Sequence, residues 1–139
     1  MEETNLERYS TNYLCANAAA GGQLLLLQQL RKENYNWNEE TCAYAAGNGH
    51  LEVLKWARQN NCPWNERTCS TAAEYGKLHV LKWAHENGCP WDKETCRRAA
   101  RGGHLHILQY ARANGCPWDI YTCLSAAYNG HLHILKWEI

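Results

Sequence analysis

Apolar side chains recur along the chain with the spacing of helices and are separated by polar stretches. In one representative unit, Cys96, Ala99 and Ala100 stand at i, i+3 and i+4, which places them on one face of a helix. Leu105 and Leu108 begin a second apolar face a few residues later. No segment alternates apolar and polar residues over a useful length, so we expect helices and no strands.

Capping residues mark where these helices begin and end. Asp92 precedes the first helix as an N-cap, since its carboxylate can accept a hydrogen bond from the first turn. Gly103 is placed to end that helix as a C-cap glycine. Asn114-Gly115 stops the second helix, and Pro117 prevents its continuation. The predicted unit is a helix, a tight turn, a second helix and a short loop.

This unit repeats every 27 residues without a gap. About four and a half copies start at residues 14, 41, 68, 95 and 122, and the last copy is incomplete. Residues 1–13 depart from the repeat and are predicted to form an N-terminal cap. The recurring residues include Cys15, Cys42, Cys69, Cys96 and Cys123; Trp37, Trp64, Trp91 and Trp118; and Gly22, Gly49, Gly76, Gly103 and Gly130.

A single helix pair cannot bury its apolar face alone, so the repeat predicts a stack of pairs. Paired alanines allow the first helices to approach closely, whereas Leu, Ile and Trp fill a thicker second layer. The predicted fold class is therefore all-α, an α-solenoid of about four and a half helix-turn-helix repeats with a concave face lined by the first helices. The last copy breaks off at Trp137-Glu138-Ile139 without a cap, so we expect the natural chain to continue or this end to form a weak dimer, and otherwise a monomer.

The repeat resembles a known family. The segment from Ala45 to Lys55, Ala-Ala-Gly-Asn-Gly-His-Leu-Glu-Val-Leu-Lys, is similar to the core of the ankyrin repeat, and Asn87 to Asp92 is similar to the stretch after its second helix. The usual ankyrin repeat has 33 residues. The 27-residue repeat looks like a short Cys-Pro-Trp variant that lacks the β-hairpin finger. The resemblance implies a module that binds other proteins through its concave face.

Charge and hydropathy disfavour several classes of partner. The 139 residues include 14 Lys plus Arg and 14 Asp plus Glu, so a net charge of zero gives no global attraction to nucleic acid or an acidic membrane. No run approaches the roughly 20 apolar residues of a membrane helix. The sequence starts without the basic and apolar regions of a secretory signal. We therefore expect a cytoplasmic protein, with the nucleus as the alternative location, whose cysteines are reduced.

The eight Cys and seven His raise the question of a zinc site. Structural zinc sites usually contain a Cys pair separated by two residues, and the sequence has none. Tyr35 occupies the repeat position, or slot, of Cys62, and Lys77 occupies the slot of His50. The candidate metal ligands are therefore not present in every copy of the repeat. Buried structural thiols are the favoured interpretation, with zinc or disulfides as less favoured ones. No metal and no cofactor are predicted.

The tryptophans and the remaining polar slots also favour structural roles. The loop tryptophans are predicted to bridge successive copies, although an exposed aromatic ladder could stack nucleic-acid bases. His79, His106 and His133 share a slot with Glu52, so we expect them to face solvent. An active site needs a unique constellation, whereas the Cys and His here mostly recur in equivalent slots. An enzyme is therefore not expected.

Slots that change from copy to copy are the candidate binding positions, since the constant slots build the core. They lie on or beside the first helix, and the cluster of Arg97, Arg98 and Arg101 is predicted to recognise an acidic segment of a partner protein. An equally favoured alternative is a solvent-exposed face on which Glu74 and Glu94 are the internal counter-charges of the arginines. The full set is Tyr44, Asn48, Arg67, Thr71, Glu74, Tyr75, Arg97, Arg98, Arg101, Tyr121, Leu124 and Tyr128.

The predicted function is a protein–protein interaction scaffold. The alternative is a structural spacer or one segment of a longer repeat array, because nothing in the fixed slots requires a partner. Nucleic-acid binding is a distant third interpretation, kept open by the arginine cluster and disfavoured by the net charge of zero.

Overall fold

The computed structural model describes residues 13–138, and that range contains ten helices and no strand. The predicted N-terminal cap at 1–13 lies almost wholly outside the described residues. The helices are α1 (Leu14–Ala20), α2 (Leu24–Lys32), α3 (Glu39–Gly47), α4 (Leu51–Gln59), α5 (Glu66–Glu74), α6 (Leu78–Glu86), α7 (Lys93–Gly102), α8 (Leu105–Ala113), α9 (Ile120–Tyr128) and α10 (Leu132–Glu138). The prediction of an all-helical chain is confirmed for these residues.

Four of the first helices begin at a side-chain cap. The carboxylates of Asp92 and Asp119 each accept a hydrogen bond of 3.0 Å from the backbone N–H two residues on, which confirms the predicted cap at Asp92. Asn38 and Asn65 do the same with their amide oxygens at 2.9 and 3.0 Å. From α3 onward, the first helices therefore start 27 residues apart, at residues 39, 66, 93 and 120.

Residues with a left-handed backbone conformation follow the helix ends, as the sequence predicted for Gly103 and Gly115. Gly103 closes α7 with a φ of 78°, and Gly115 follows α8 with a φ of 80°. Asn61, which has a φ of 67°, takes the same place after α4, because asparagine tolerates this conformation better than most residues. The helices of each pair consequently fold back on one another through a tight turn.

The first helices pack against one another in series, α1 on α3, α3 on α5, α5 on α7 and α7 on α9, and each packs on the second helix of its own pair. Glycine and alanine permit the close approach between first helices. A Cβ atom at Gly102 would lie 2.3 Å from the backbone oxygen of Glu74. The recurring Cys and the first Ala of each pair are mostly buried in this layer, with Leu27, Leu54, Leu81 and Leu108 fully buried beneath them.

The loops between pairs are held by tryptophan and cysteine. Trp37 meets Trp56 of the next pair with ring centroids 5.8 Å apart, and Trp64 meets Trp83 at 5.9 Å, so the predicted bridging of successive copies is confirmed. The buried Cys62 thiol donates to the backbone oxygen of Asn38 over 3.5 Å. Equivalent bonds run from Cys89 to Asn65 and from Cys116 to Asp92. The loop cysteines thus join consecutive loops, one on each side of a helix pair.

Candidate functional site

The predicted binding residues occupy one row of helices. They lie on α3, α5, α7 and α9 or directly after these helices, and none of them is buried. The row is held in place by the buried cysteines and alanines on the opposite side of the same helices. The sequence prediction that changing slots sit on the first helices therefore matches their positions in the fold, and their role in binding stays a prediction.

Arg97 donates hydrogen bonds to carboxylates within the chain. Its guanidinium donates through Nε and Nη2 to both carboxylate oxygens of Asp119, and through Nη1 to Glu94 over 2.6 Å. The same group lies 4.8 Å from the centre of the Tyr121 ring. The Arg97 hydrogen bonds hold the pKa of Asp119 below its usual value, and the pKa of Arg97 is raised by that carboxylate. Arg97 is therefore already engaged within the chain.

Arg98 and Arg101 share one carboxylate. Arg98 donates to Glu74 over 2.6 Å and lies 3.7 Å from Glu94. Arg101 reaches Glu74 only at 3.8 Å, and 61% of its side chain is exposed. The structure thus contains the internal counter-charges of the alternative interpretation. Of the three arginines, Arg101 has the guanidinium that is best placed to contact a partner.

A groove on this row brings Arg101 together with two exposed apolar residues. It encloses about 380 Å³ and is lined by Arg101, Leu124, Ser125, Tyr128 and Asn129. Tyr128 is 92% exposed and Leu124 is 50% exposed. The groove lies between α7 and α9, where consecutive pairs meet.

Some predicted residues lie away from this groove, and others were missed. A Cβ atom at Gly47 would lie 3.3 Å from the ring of Tyr75, so Tyr75 leans towards α3 and not towards the arginines. Ser125 and Asn129 line the groove but were not predicted as site residues. The sequence could have pointed to them, because each stands directly after a predicted site residue, Leu124 or Tyr128, in a position that changes from copy to copy.

The histidines and cysteines are occupied by structural contacts. Within residues 13–138 no group of three or more His, Cys, Asp or Glu is arranged to hold a metal ion. The ring Nε2 of His104 lies 3.0 Å from the backbone oxygen of Glu74 in the preceding pair. The neighbouring Cys42 thiol and burial raise the pKa of Cys62 far above its usual value, which keeps it protonated and unreactive. His79, His106 and His133 are exposed, as predicted.

The Arg97–Asp119 contact predicts a pH-dependent stability. The folded-state pKa of Asp119 is lowered, so the stabilisation is fully present above the unfolded-state pKa near 4 and is lost as the pH falls through the lower folded-state value. Asp119→Asn keeps an N-cap of the type that Asn38 and Asn65 provide. We expect this variant to have a lower urea midpoint than the wild type at pH 7, and the difference to shrink as the pH falls below the unfolded-state pKa.

The control for that experiment is the equivalent cap of α7. Asp92→Asn removes a carboxylate for which no ion pair is found in the described part of the chain. Its urea midpoint should follow that of the wild type across the same pH range. Equal losses at pH 7 in both variants would assign the effect to capping and not to the Arg97 contact.

No family model matches the chain, and a search of curated proteins finds no match. No helix in residues 13–138 is long and apolar enough to cross a membrane.

Proposed function

We propose that the chain is a protein–protein interaction scaffold, an α-solenoid of ankyrin-like repeats that binds a partner protein on its first-helix face. The observation that carries the proposal is the groove in which Arg101 lies beside the exposed Leu124 and Tyr128. Interface hot spots are enriched in Arg and Tyr. The partner segment would place an apolar side chain on Leu124 and Tyr128 and a carboxylate at Arg101.

The solenoid interpretation is supported by the serial packing of the first helices and by helix starts that recur at the same interval. Such stacks expose one continuous surface across consecutive repeats, which suits an extended partner. A scaffold without catalysis is supported by Cys62, whose thiol donates to a backbone oxygen of the preceding loop, and by His104, whose ring contacts a backbone oxygen of the preceding pair. The resemblance of the repeat to ankyrin points in the same direction.

The first-helix groove can be tested with peptides selected against the full chain from a random display library. We expect the selected peptides to combine an acidic and an apolar residue. Arg101→Glu with Tyr128→Ala should weaken the best of them by about 10- to 100-fold, which corresponds to about 1–3 kcal/mol. Isothermal titration calorimetry of the wild type and the variant gives this ratio.

The matched control is Leu25→Ala, an exposed apolar residue on a second helix, which should bind the selected peptides as the wild type does. If the first-helix variant retains full affinity for every selected peptide, the groove is not the binding site. Thermal melting of both variants separates a loss of contact from a loss of fold.

A role as a spacer in a longer array is the alternative. Ile120, Leu132 and Trp137 on α9 and α10 are exposed apolar residues that a further repeat or a second copy could cover. Sedimentation velocity over a range of protein concentrations would reveal a weak dimer.

A further inference from the structure

Two matched grooves lie on the second helices, away from the Arg101 groove. The first encloses about 440 Å³ and the second about 510 Å³. Each residue that lines the second groove stands 27 positions after its counterpart in the first. The first is lined by Gln28, Arg31, Lys32, Trp37, Trp56 and Asn60. The second is lined by Lys55, Arg58, Gln59, Trp64, Trp83 and Asn87.

Each groove holds a guanidinium in a fixed orientation. Arg31 lies over the ring of Trp37 at 4.3 Å, and Arg58 lies over Trp64 at 4.2 Å. One N–H of each arginine also donates to a backbone oxygen four residues on, which is that of Cys62 at 2.6 Å in the second groove. The stacking and the hydrogen bond orient the guanidinium before any ligand arrives, which lowers the entropy cost of binding.

The grooves carry a positive charge that is not neutralised by their own lining. Each contains one arginine and one lysine, and neither lining set contains a carboxylate. Among the ion pairs of residues 13–138, one involves a residue of these grooves: the largely exposed side chain of Glu52 lies 3.8 Å from Lys55. An exposed ion pair at that distance has a small interaction free energy and does little to neutralise Lys55. This surface differs from the Arg97 cluster, where carboxylates of the chain already occupy the guanidinium groups.

In the fourth helix pair, the arginine in the same slot lies beside a carboxylate of the chain. Arg112 stands at the slot of Arg58 and lies over the ring of Trp118 at 3.6 Å. Its Nη1 is 3.6 Å from the carboxylate of Glu138, whose side chain is only 1% exposed. A guanidinium stacked on a loop tryptophan can thus lie beside a carboxylate. In Arg31 and Arg58 the Nη1 group already donates to a backbone oxygen, so a ligand carboxylate would meet the Nη2 and Nε groups.

We propose that the two grooves bind the carboxylate side chains of an extended acidic segment of a partner protein, one carboxylate to each groove. The first helices of consecutive pairs pack together, and packed helices lie about 8–10 Å apart, so the repeat that carries the two grooves advances by about this distance. A polyproline II segment rises about 3.1 Å per residue with three residues per turn, so carboxylates three residues apart are about 9 Å apart on one side. The partner motif is thus a pair of acidic residues three positions apart. A nucleic-acid base is a poorer fit, because the guanidinium covers the indole face that a base would stack on.

The test uses the full chain and a labelled (Glu-Pro-Pro)4 peptide, which presents a carboxylate at every third residue. We expect fluorescence anisotropy to show binding that weakens as salt is raised. The matched (Gln-Pro-Pro)4 peptide should bind at least about tenfold more weakly, since it lacks the charge-assisted hydrogen bonds. Tryptophan emission should change on addition of the acidic peptide only.

Variants separate the grooves from the rest of the surface. Arg58→Gln should reduce the affinity for (Glu-Pro-Pro)4 by about tenfold. Because Arg58 also supports Trp64, the second variant is Lys55→Gln, which alters the groove charge without touching that stack and should weaken binding by several-fold. Lys93→Gln, at an exposed lysine of α7 that lines neither these grooves nor the Arg101 groove, should leave the affinity unchanged. A loss in Arg101→Glu but not in the groove variants would place the acidic peptide in the first-helix groove instead.

Three outcomes would overturn the proposal. Equal affinity for the Glu and Gln peptides would show that carboxylates are not recognised. Unchanged affinity in both groove variants would place the peptide elsewhere. Tighter binding of a single-stranded oligothymidylate of matched charge, lost in the same two variants, would identify the grooves as a nucleic-acid site.

Discussion

Replacing Leu81 by alanine is expected to lower the free energy of unfolding by about 3–5 kcal/mol. Leu81 is fully buried in the middle of the described chain, and its slot is occupied by Leu27, Leu54 and Leu108 in other pairs, all fully buried. The loss combines the transfer of apolar surface with the cavity left between side chains that cannot collapse completely. Urea denaturation followed by circular dichroism measures the change.

The control for this prediction is the same substitution at an exposed leucine. Leu25 is 81% exposed on α2, so Leu25→Ala should change the free energy of unfolding by no more than about 0.5 kcal/mol. Similar losses in both variants would contradict the buried layer described here. A split transition in Leu81→Ala, with separate N-terminal and C-terminal unfolding, would show that this layer couples the two halves of the stack.

The helices could be predicted from the sequence because their determinants are local. Apolar residues at i, i+3 and i+4 share a helix face, and Asp92, Gly103 and Gly115 act within one turn of the helix end they mark. The repeat strengthened each assignment, because the same local signals recur in successive copies. Asn38 and Asn65 were missed as caps although they stand in the slot of Asp92, and comparing the copies would have found them.

The state of the arginines could not be predicted in the same way. Arg97 and Asp119 are 22 residues apart, and Arg98 and Glu74 are 24 apart, so these contacts join consecutive pairs. Whether they form depends on the distance between first helices and on side-chain rotamers. The sequence therefore left acidic recognition and internal neutralisation as equal alternatives. The structure shows internal partners for all three arginines and leaves Arg101 the most exposed of them.

The second-helix grooves had a sequence signal that was not used. Arg31, Arg58 and Arg112 share one slot, six residues before a loop tryptophan, and His85 occupies that slot in the third pair. Stacking of the guanidinium on the indole is visible only in three dimensions. With the proposal for these grooves, the candidate binding residues therefore extend beyond the changing slots.

Replacing Thr68, Thr95 and Thr122 by valine is expected to stabilise the chain. Their hydroxyl oxygens are buried and have no hydrogen-bond partner within the described residues. Valine has nearly the same shape and is also branched at Cβ, so the substitution removes an unsatisfied polar group without creating a cavity. We expect a gain of about 1–2 kcal/mol per site and about 3–6 kcal/mol for the triple variant, because distant sites add.

The matched control is Thr71→Val on α5, since Thr71 is partly exposed and its hydroxyl is not among these unsatisfied groups. This variant should leave the urea midpoint within about 0.5 kcal/mol of the wild type. A loss of stability at Thr68, Thr95 and Thr122 would mean that their hydroxyls are hydrogen-bonded in solution, for example by buried water, because only a satisfied group is costly to remove. A gain that appears at each site and adds in the triple variant would show that each helix pair carries its own independent cost at this slot.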